Sequence, residues 1–322
     1  MRKPAMHDGK IRIKEIVIYP VKSCKGVVVT SAQLDSQSGL AYDRLWTVVD
    51  ARGAFMSQRR APKMALVTPS LPSSASEPLE LSAPGASTLK VSQVDSGGKR
   101  LNVRIWDDRV VAVDQGDEAA QWFSDFLEIP GLRLVRMPRS TSRWCDSKYA
   151  PLLGTRTAFS DGFPILLASA ASLADLNAKM KSPLPMARFR PNVVLDGDLE
   201  AWAEDSWARV RLGAHTFLVA KPCSRCKIPT ICQDTGTVGG EKTARVDDGD
   251  DEGGGPNQGA EPTTTLKTFR TGKHLGATTP GWDDEVFFGQ NLCLLPTLLD
   301  RISTPFSTSP PTLVVGDPAM PL

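Results

Sequence analysis

Histidine is scarce: His7, His215 and His274 are the only three in 322 residues. A structural zinc needs four ligands, usually as two close pairs. Cys24, Cys145, Cys232, Cys293 and the histidines make no second pair to set beside Cys223 and Cys226, which argues against zinc. Six cysteines in a chain of this length are also too few for the dense framework of a small secreted protein, so reduced thiols and an intracellular setting are expected. Long apolar runs are missing. The longest, such as residues 163–171, fall far short of the roughly 20 residues a spanning helix needs. The first ten residues, MRKPAMHDGK, are polar and hold no apolar core of a signal peptide, so neither a leader nor a transmembrane segment is expected. Net charge is only +2, with 23% charged residues, and gives no field that would gather nucleic acid or a membrane surface. No GxGxxG follows a strand pattern, so the chain has no flavin or nicotinamide fingerprint of its own.

What is present centres on residues 221–236, KPCSRCKIPTICQDTG. A cysteine serves as nucleophile or metal ligand only as its thiolate, and the positive neighbours Arg225 and Lys227 favour that form at Cys223 and Cys226. Pro222 and Pro229 forbid a continuous helix, which places the thiols on a loop leaving a strand over residues 215–220. A thioredoxin-like dithiol wants CxxC at a helix start, and the prolines argue against that too. Packing as small apolar residues is the alternative for either thiol. A second basic loop, Lys22-Ser23-Cys24-Lys25-Gly26, is either an anion cradle or a solvated hairpin.

The rest reads as mostly β with a few helices. Residues 11–21 alternate and then turn continuously apolar, a strand half-buried at first and buried later. Short β-rich runs follow at 27–30, 45–49 and 64–67, separated by turn residues, as in a barrel or sandwich. Residues 69–87, rich in serine and proline, are expected to form a flexible loop, and 133–149 a surface link between halves. Strand patterns recur at 89–91, 101–105, 110–113, 193–195 and 207–212. Helices are expected at 117–127, from the stripe Ala119, Trp122, Phe123, Phe126 and Leu127, and at 169–180 with Ser169 as N-cap. Residues 238–261 carry acidic residues amid glycines and predict disorder rather than a calcium loop. Asp43-Arg44 and Ser57-Gln58-Arg59-Arg60 add arginines, whose planar fork suits phosphate oxygens. A soft thiolate beside such donors fits a metal held by an organic, phosphate-bearing cofactor.

Ile18-Tyr19-Pro20-Val21-Lys22-Ser23-Cys24-Lys25-Gly26, Asp43-Arg44, Phe189-Arg190-Pro191-Asn192, Glu204-Asp205-Ser206-Trp207, Cys223-Ser224-Arg225-Cys226, Asp234-Thr235-Gly236 and Phe288-Gly289-Gln290 together resemble the MOSC proteins. Among these they look most like the eukaryotic amidoxime-reducing components, over roughly residues 11–317. The resemblance implies an N-terminal β-barrel module at 10–135 and a MOSC-type β-barrel at 136–320, interrupted by the acidic insertion. It further implies the molybdenum cofactor, a pyranopterin dithiolene with a terminal phosphate. Cys226 matches the molybdenum-ligating position. Lys22, Ser23, Arg44, Arg190 and Asn192 match positions that hold pterin and phosphate, and Ser160 and Asp161 lie in a loop with a similar role. The implied reaction is two-electron reduction of amidoximes, hydroxylamines and other small N-hydroxylated substrates. Electrons would come from a b-type cytochrome fed by an NADH-dependent reductase. The membrane anchor of the animal proteins has no counterpart in the sequence, which makes cytoplasm the expected location and loose attachment to mitochondria the alternative. The competing function is a sulfur carrier, or a cofactor-binding or storage protein, like the C-terminal domain of molybdenum cofactor sulfurase.

Overall fold

The computed structural model describes residues 10–74, 76–150, 154–238, 261–276, 279–295 and 310–322. The stretch expected to be disordered, 238–261, lies outside them except for Val238 and Glu261. In chain order the first strands are β1 (Arg12–Ile18), β2 (Val27–Val29), β3 (Ser31–Asp35), β4 (Gly39–Leu40), β5 (Trp46–Val49), β6 (Thr68–Ser70), β7 (Leu79–Ser82), β8 (Leu89–Val91) and β9 (Arg100–Ile105). The second half has β10 (Asp108–Asp114), β11 (Arg133–Arg136), β12 (Ile165–Ser169), β13 (Val193–Asp196), β14 (Arg209–Leu212), β15 (His215–Ser224), β16 (Phe287–Leu294), β17 (Thr312–Val314) and β18 (Ala319–Pro321). The α-helices are α1 (Asp117–Leu127), α2 (Ala170–Ala178) and α3 (Thr263–Lys267). The described residues are thus mostly β, as the alternating patterns require.

Eight strands form one sheet in the order β18-β14-β15-β16-β12-β13-β1-β2. Its centre, β12, is buried at every position, as a strand covered on both faces should be. The pairing of β12 with β13 is parallel, and α2 makes the crossover between them. Ser169 caps α2 as expected, its hydroxyl accepting the Ser172 N–H at 3.0 Å. Buried Glu204 accepts from the hydroxyls of Ser169 and Ser172, while Asp205 receives Arg270 at 2.5 Å and Gln290 at 2.6 Å. Two of the motifs that carry the resemblance therefore serve the scaffold. The first strand also belongs to this sheet, pairing with β13.

A second sheet, β5-β11-β10-β9, carries α1 on one face, and Trp46, Phe123, Leu134 and Phe159 lie in the same buried cluster. The structure corrects four local expectations. Residues 133–136 are no surface link: β11 lies between β5 and β10 with Leu134 and Val135 buried. Its basic ends disguised it, since Arg133 is taken up by Asp114 and Asp117, and Arg136 by Asp95. The supposed loop 69–87 contains β7, where Leu79 and Leu81 alternate with polar residues and are fully buried. Residues 64–67 belong mainly to a 3-10 turn, Pro62–Leu66, because Pro62 supplies the fixed φ of a helical start. The strand expected to end at residue 220 runs on as β15 to Ser224. It tolerates Pro222 through register shifts near Val219 and Ser224, where β16 is the strand it still pairs with.

Candidate functional site

The basic loop after β1 is laced to the turn before β5. Arg44 N–H donates to the Tyr19 carbonyl at 2.7 Å, Trp46 N–H to Pro20 at 3.1 Å and Lys22 N–H to Trp46 at 2.8 Å. Gly26 lets the loop pack back on the strand, since a Cβ there would lie 2.5 Å from Tyr19 Cε1. At the centre is Asp43, fully buried, whose carboxylate accepts from Tyr19 N–H (2.8 Å), Asn192 Nδ2 (2.9 Å) and Arg44 Nη1 (2.7 Å). Asn192 is saturated: its amide also donates to Val17, and its oxygen accepts from Leu166 N–H and Arg44 Nη1. Arg44 Nη2 reaches the Arg190 carbonyl at 3.2 Å.

Both guanidiniums stack on Tyr19, Arg44 at 4.2 Å and Arg190 at 4.3 Å from the ring centroid. Burial pushes the Tyr19 hydroxyl up to about 12 against the pull of both arginines, and burial with the Arg44 charge brings Arg190 down to about 10. Burial likewise holds the Cys24 thiol up near 12, so this cysteine stays a packed thiol.

Lys22 is also buried. Its ammonium donates to the Phe159 carbonyl at 2.8 Å and to Asp161 Oδ1 at 2.5 Å. Burial brings it down to about 8, with Asp161 opposing. Phe159 is itself held by its N–H on the Arg44 carbonyl. Arg143 clamps the same turn, with Nη1 on the carbonyls of Ala158 and Ser160, Nη2 on that of Asp161, and Nε on Asp108. The Ser160 hydroxyl is buried with no hydrogen-bond partner among the described residues.

Backbone strain gathers at the same place. Seven non-glycine residues of the described set have left-handed backbone, and Ser23 (φ 66°), Arg44 (φ 45°) and Arg190 (φ 55°) are three of them. Each costs on the order of 1 kcal/mol for an ordinary side chain and persists only where surroundings enforce it.

The thiols are placed unequally. Cys223 is the next-to-last residue of β15 and accepts from Arg225 Nη1 at 3.0 Å, while Arg225 Nη2 donates to the Phe189 carbonyl, next to Arg190. Cys226 lies on the following loop, exposed. The guanidinium expected to serve both thiols thus goes to Cys223. Gln58 and Gln233 exchange two amide bonds of 3.0 Å, and Gln58 also donates to the Ser23 carbonyl. Arg190 Nη1 approaches Gln233 at 3.4 Å.

Lys22, Ser23, Arg44, Ser160, Asp161, Arg190 and Asn192 therefore join one hydrogen-bonded assembly, and Arg225 connects it to Cys223. Sequence reasoning missed Asp43 as its organiser, the Arg143 clamp and the glutamine pair. Asp43, Gln58 and Gln233 sat in quoted stretches, but nothing local marked their roles or that of Arg143. Among the described residues no three His, Cys, Asp or Glu side chains gather as a metal ligand set, and no helix is long and apolar enough to cross a membrane.

Two family models match the chain, MOSC N-terminal beta barrel domain over residues 10–130 and MOSC domain over residues 154–291. Mitochondrial amidoxime reducing component 2 of Bos taurus is 32% identical over 264 residues, spanning 80% of this chain and 72% of that protein. Its counterpart in Homo sapiens is 33% identical over 232 residues, spanning 70% and 68%. Molybdenum cofactor sulfurase of Bombyx mori is 30% identical over 243 residues, spanning 70% of this chain but 29% of that protein.

Proposed function

Because the chain belongs to the MOSC family, with the N-terminal barrel and MOSC domains in tandem, we propose that it is a molybdenum-cofactor-dependent reductase of N-hydroxylated compounds. In that reading the modules 10–135 and 136–320 are sequence units that fold together, since β1 lies in the sheet of the later one. The observation that carries the proposal is the convergence of Lys22, Ser23, Arg44, Arg190 and Asn192 on one strained, cationic assembly tied through Arg225 to the strand that delivers the thiols.

The donor set suits the cofactor. Cys226 offers one soft ligand, so a metal there needs its other ligands from an organic partner such as a dithiolene. Lys22, Arg44 and Arg190 supply positive charge for a phosphate, and the partnerless Ser160 hydroxyl and Arg225 Nε supply buried donors. Asn192 positions Arg44, and the turn of Ser160 and Asp161 closes over Lys22. When bound, the cofactor supplies the two-electron redox couple. The substrate takes up two electrons and two protons, its N–O bond breaks, and the oxygen leaves as water. Electrons enter from a b-type cytochrome and its NADH-dependent reductase. The relatives' names carry the word mitochondrial, and we place this chain in the cytoplasm or loosely at mitochondria.

A sulfur-carrier role is the second reading, favoured by the exposed Cys226 thiol and the partial match to a sulfurase. Molybdenum and pterin content of the purified protein, measured beside benzamidoxime reduction with an artificial electron donor, decides between them. Stoichiometric molybdenum with turnover supports the reductase. Molybdenum without turnover supports carriage or storage, and no molybdenum defeats both.

A further inference from the structure

Cys232 has no part in the chemistry proposed above. It begins a closed turn: its N–H donates to the Thr237 carbonyl at 2.8 Å, and its carbonyl accepts the Gly236 N–H at 2.9 Å. Gly236, at φ 63°, packs on the 3-10 turn Pro62–Leu66, where a Cβ would lie 3.2 Å from the Pro62 carbonyl oxygen. Inside the turn the N–H groups of Asp234 and Thr235 and the Thr235 hydroxyl face the Cys232 sulfur. Thr235 and Thr237 share a hydroxyl contact of 2.7 Å, which lets Thr237 donate to Thr235 and Thr235 to the sulfur. Cys24, Cys145 and Cys293 are buried, whereas Cys232 is only half-buried.

A buried cation stands beside this turn. Arg188 closes the 3-10 turn Met186–Arg188, which packs on the turn Ile228–Thr230 just before Cys232. Arg188 is 8% exposed, its Nη1 is buried without a hydrogen-bond partner, and its guanidinium enters no ion pair among the described residues. The negative groups it faces are Cys232 and then Asp234. Asp234 is taken up by Lys25 at 3.5 Å, which leaves the Arg188 charge to the sulfur. The Thr235 hydroxyl foremost, then the two N–H groups and Arg188, hold the Cys232 thiol below its ordinary value against the cost of partial burial.

We infer that Cys232 is a site of S-thiolation, which forms a mixed disulfide with an anionic low-molecular-weight disulfide such as oxidised glutathione. The thiolate attacks one sulfur of the reagent, whose S–S bond breaks as the new one forms. The other half leaves as a thiolate and takes a proton from water. Cys232 is oxidised and the released half is reduced, so no further oxidant is needed. The turn donors raise the thiolate population near neutral pH, and Arg188 draws a negatively charged reagent. The adduct sits beside Gln233, whose amide is paired with Gln58. None of these residues is assigned to the cofactor, so the site stands apart from the reductase reading.

The test incubates the full chain, reduced and then freed of reductant, with oxidised glutathione or with the cationic disulfide cystamine. Peptide mass spectrometry assigns adducts to each cysteine, so reaction at the exposed Cys226 is counted apart. Glutathione should appear on Cys232, with a rate that rises through a midpoint below the ordinary thiol range. Its rate relative to cystamine should exceed the same ratio for free N-acetylcysteine by about threefold or more. Thr235→Val, at an exposed position, should slow the reaction at Cys232 about threefold at pH 7 and move the midpoint up. Arg188→Gln should do the same and erase the preference for the anionic reagent, Arg188→Lys should keep that preference, and Asp234→Asn should strengthen it. No adduct on Cys232 of the wild type, a preference no greater than that of N-acetylcysteine, or an unchanged rate and midpoint in folded Thr235→Val overturns the inference. None of these readouts uses molybdenum or turnover, so failure here leaves the reductase reading standing, and absence of molybdenum leaves this site standing.

Discussion

The Asp43–Asn192 assembly and the end of β15 supply the two parts of the proposed chemistry, and they are built in opposite ways. Asp43 and Asn192 are buried, and their side chains are committed to Tyr19, Val17, Leu166, Arg44 and each other. Cys226 is exposed on a loop beyond a strand whose register has already shifted twice. Groups that must position a ligand are immobilised by the protein. The group that must bond to it is left open, because its partner comes with the ligand. Damage to the first region should therefore appear as lost stability, and damage to the second as lost chemistry.

The sharpest separation should come from Cys226→Ser. Molybdenum retention and reduction should fall by on the order of 100-fold or more, while the melting temperature stays within about 2 °C, as for other exposed substitutions. Asn192→Leu should do the reverse. It strips one donor from a buried carboxylate and leaves the Leu166 N–H and Val17 carbonyl unpaired, for a loss of roughly 3 kcal/mol or more in denaturant unfolding. A stable Asn192→Leu protein that merely lost its cofactor would break the comparison.

Lys22 gives a smaller, pH-dependent signal. Its folded value of about 8 lies below the ordinary 10.5, so between these values the folded protein holds fewer protons than the unfolded one. Stability of the wild type relative to Lys22→Met should rise with pH across that window, as the penalty of a buried ammonium is relieved. Anion binding should fall through the same range, because the charge on Lys22 that attracts phosphate is being lost. Thermal melts and phosphate titrations at pH 7 to 10 check both slopes. Smallest of all should be Cys223→Ala, which removes the contact with Arg225 and a long one to the Ser224 carbonyl: less than about 1 kcal/mol and within about threefold in rate. Equal losses in the two cysteine variants would overturn the assignment of the metal to Cys226.

The sequence was legible wherever the determinant was local. The aromatic stripe from Ala119 to Leu127 defined α1 to the residue, and Ser169 announced its own cap. It misled where composition hid a pattern, as when Arg133 and Arg136 at the ends of β11 suggested a solvated link. Of the candidate site, motif resemblance named the cations and the thiol. It did not show that Asp43 gathers them, nor that Arg143 and the Gln58–Gln233 pair hold the surrounding turns, since these partners lie far apart in the chain.

By itself, then, the amino-acid sequence determined the β-rich class, the helices α1 and α2 with the Ser169 cap, and the residue types available for chemistry, because periodicity, capping and thiolate-favouring charge act over a few neighbouring positions. Only the tertiary structure decided which donor meets which acceptor. Asn192 finds Asp43 across 149 residues and Lys22 finds Asp161 across 139, and the left-handed backbone of Ser23, Arg44 and Arg190 is affordable only inside the assembly those contacts close.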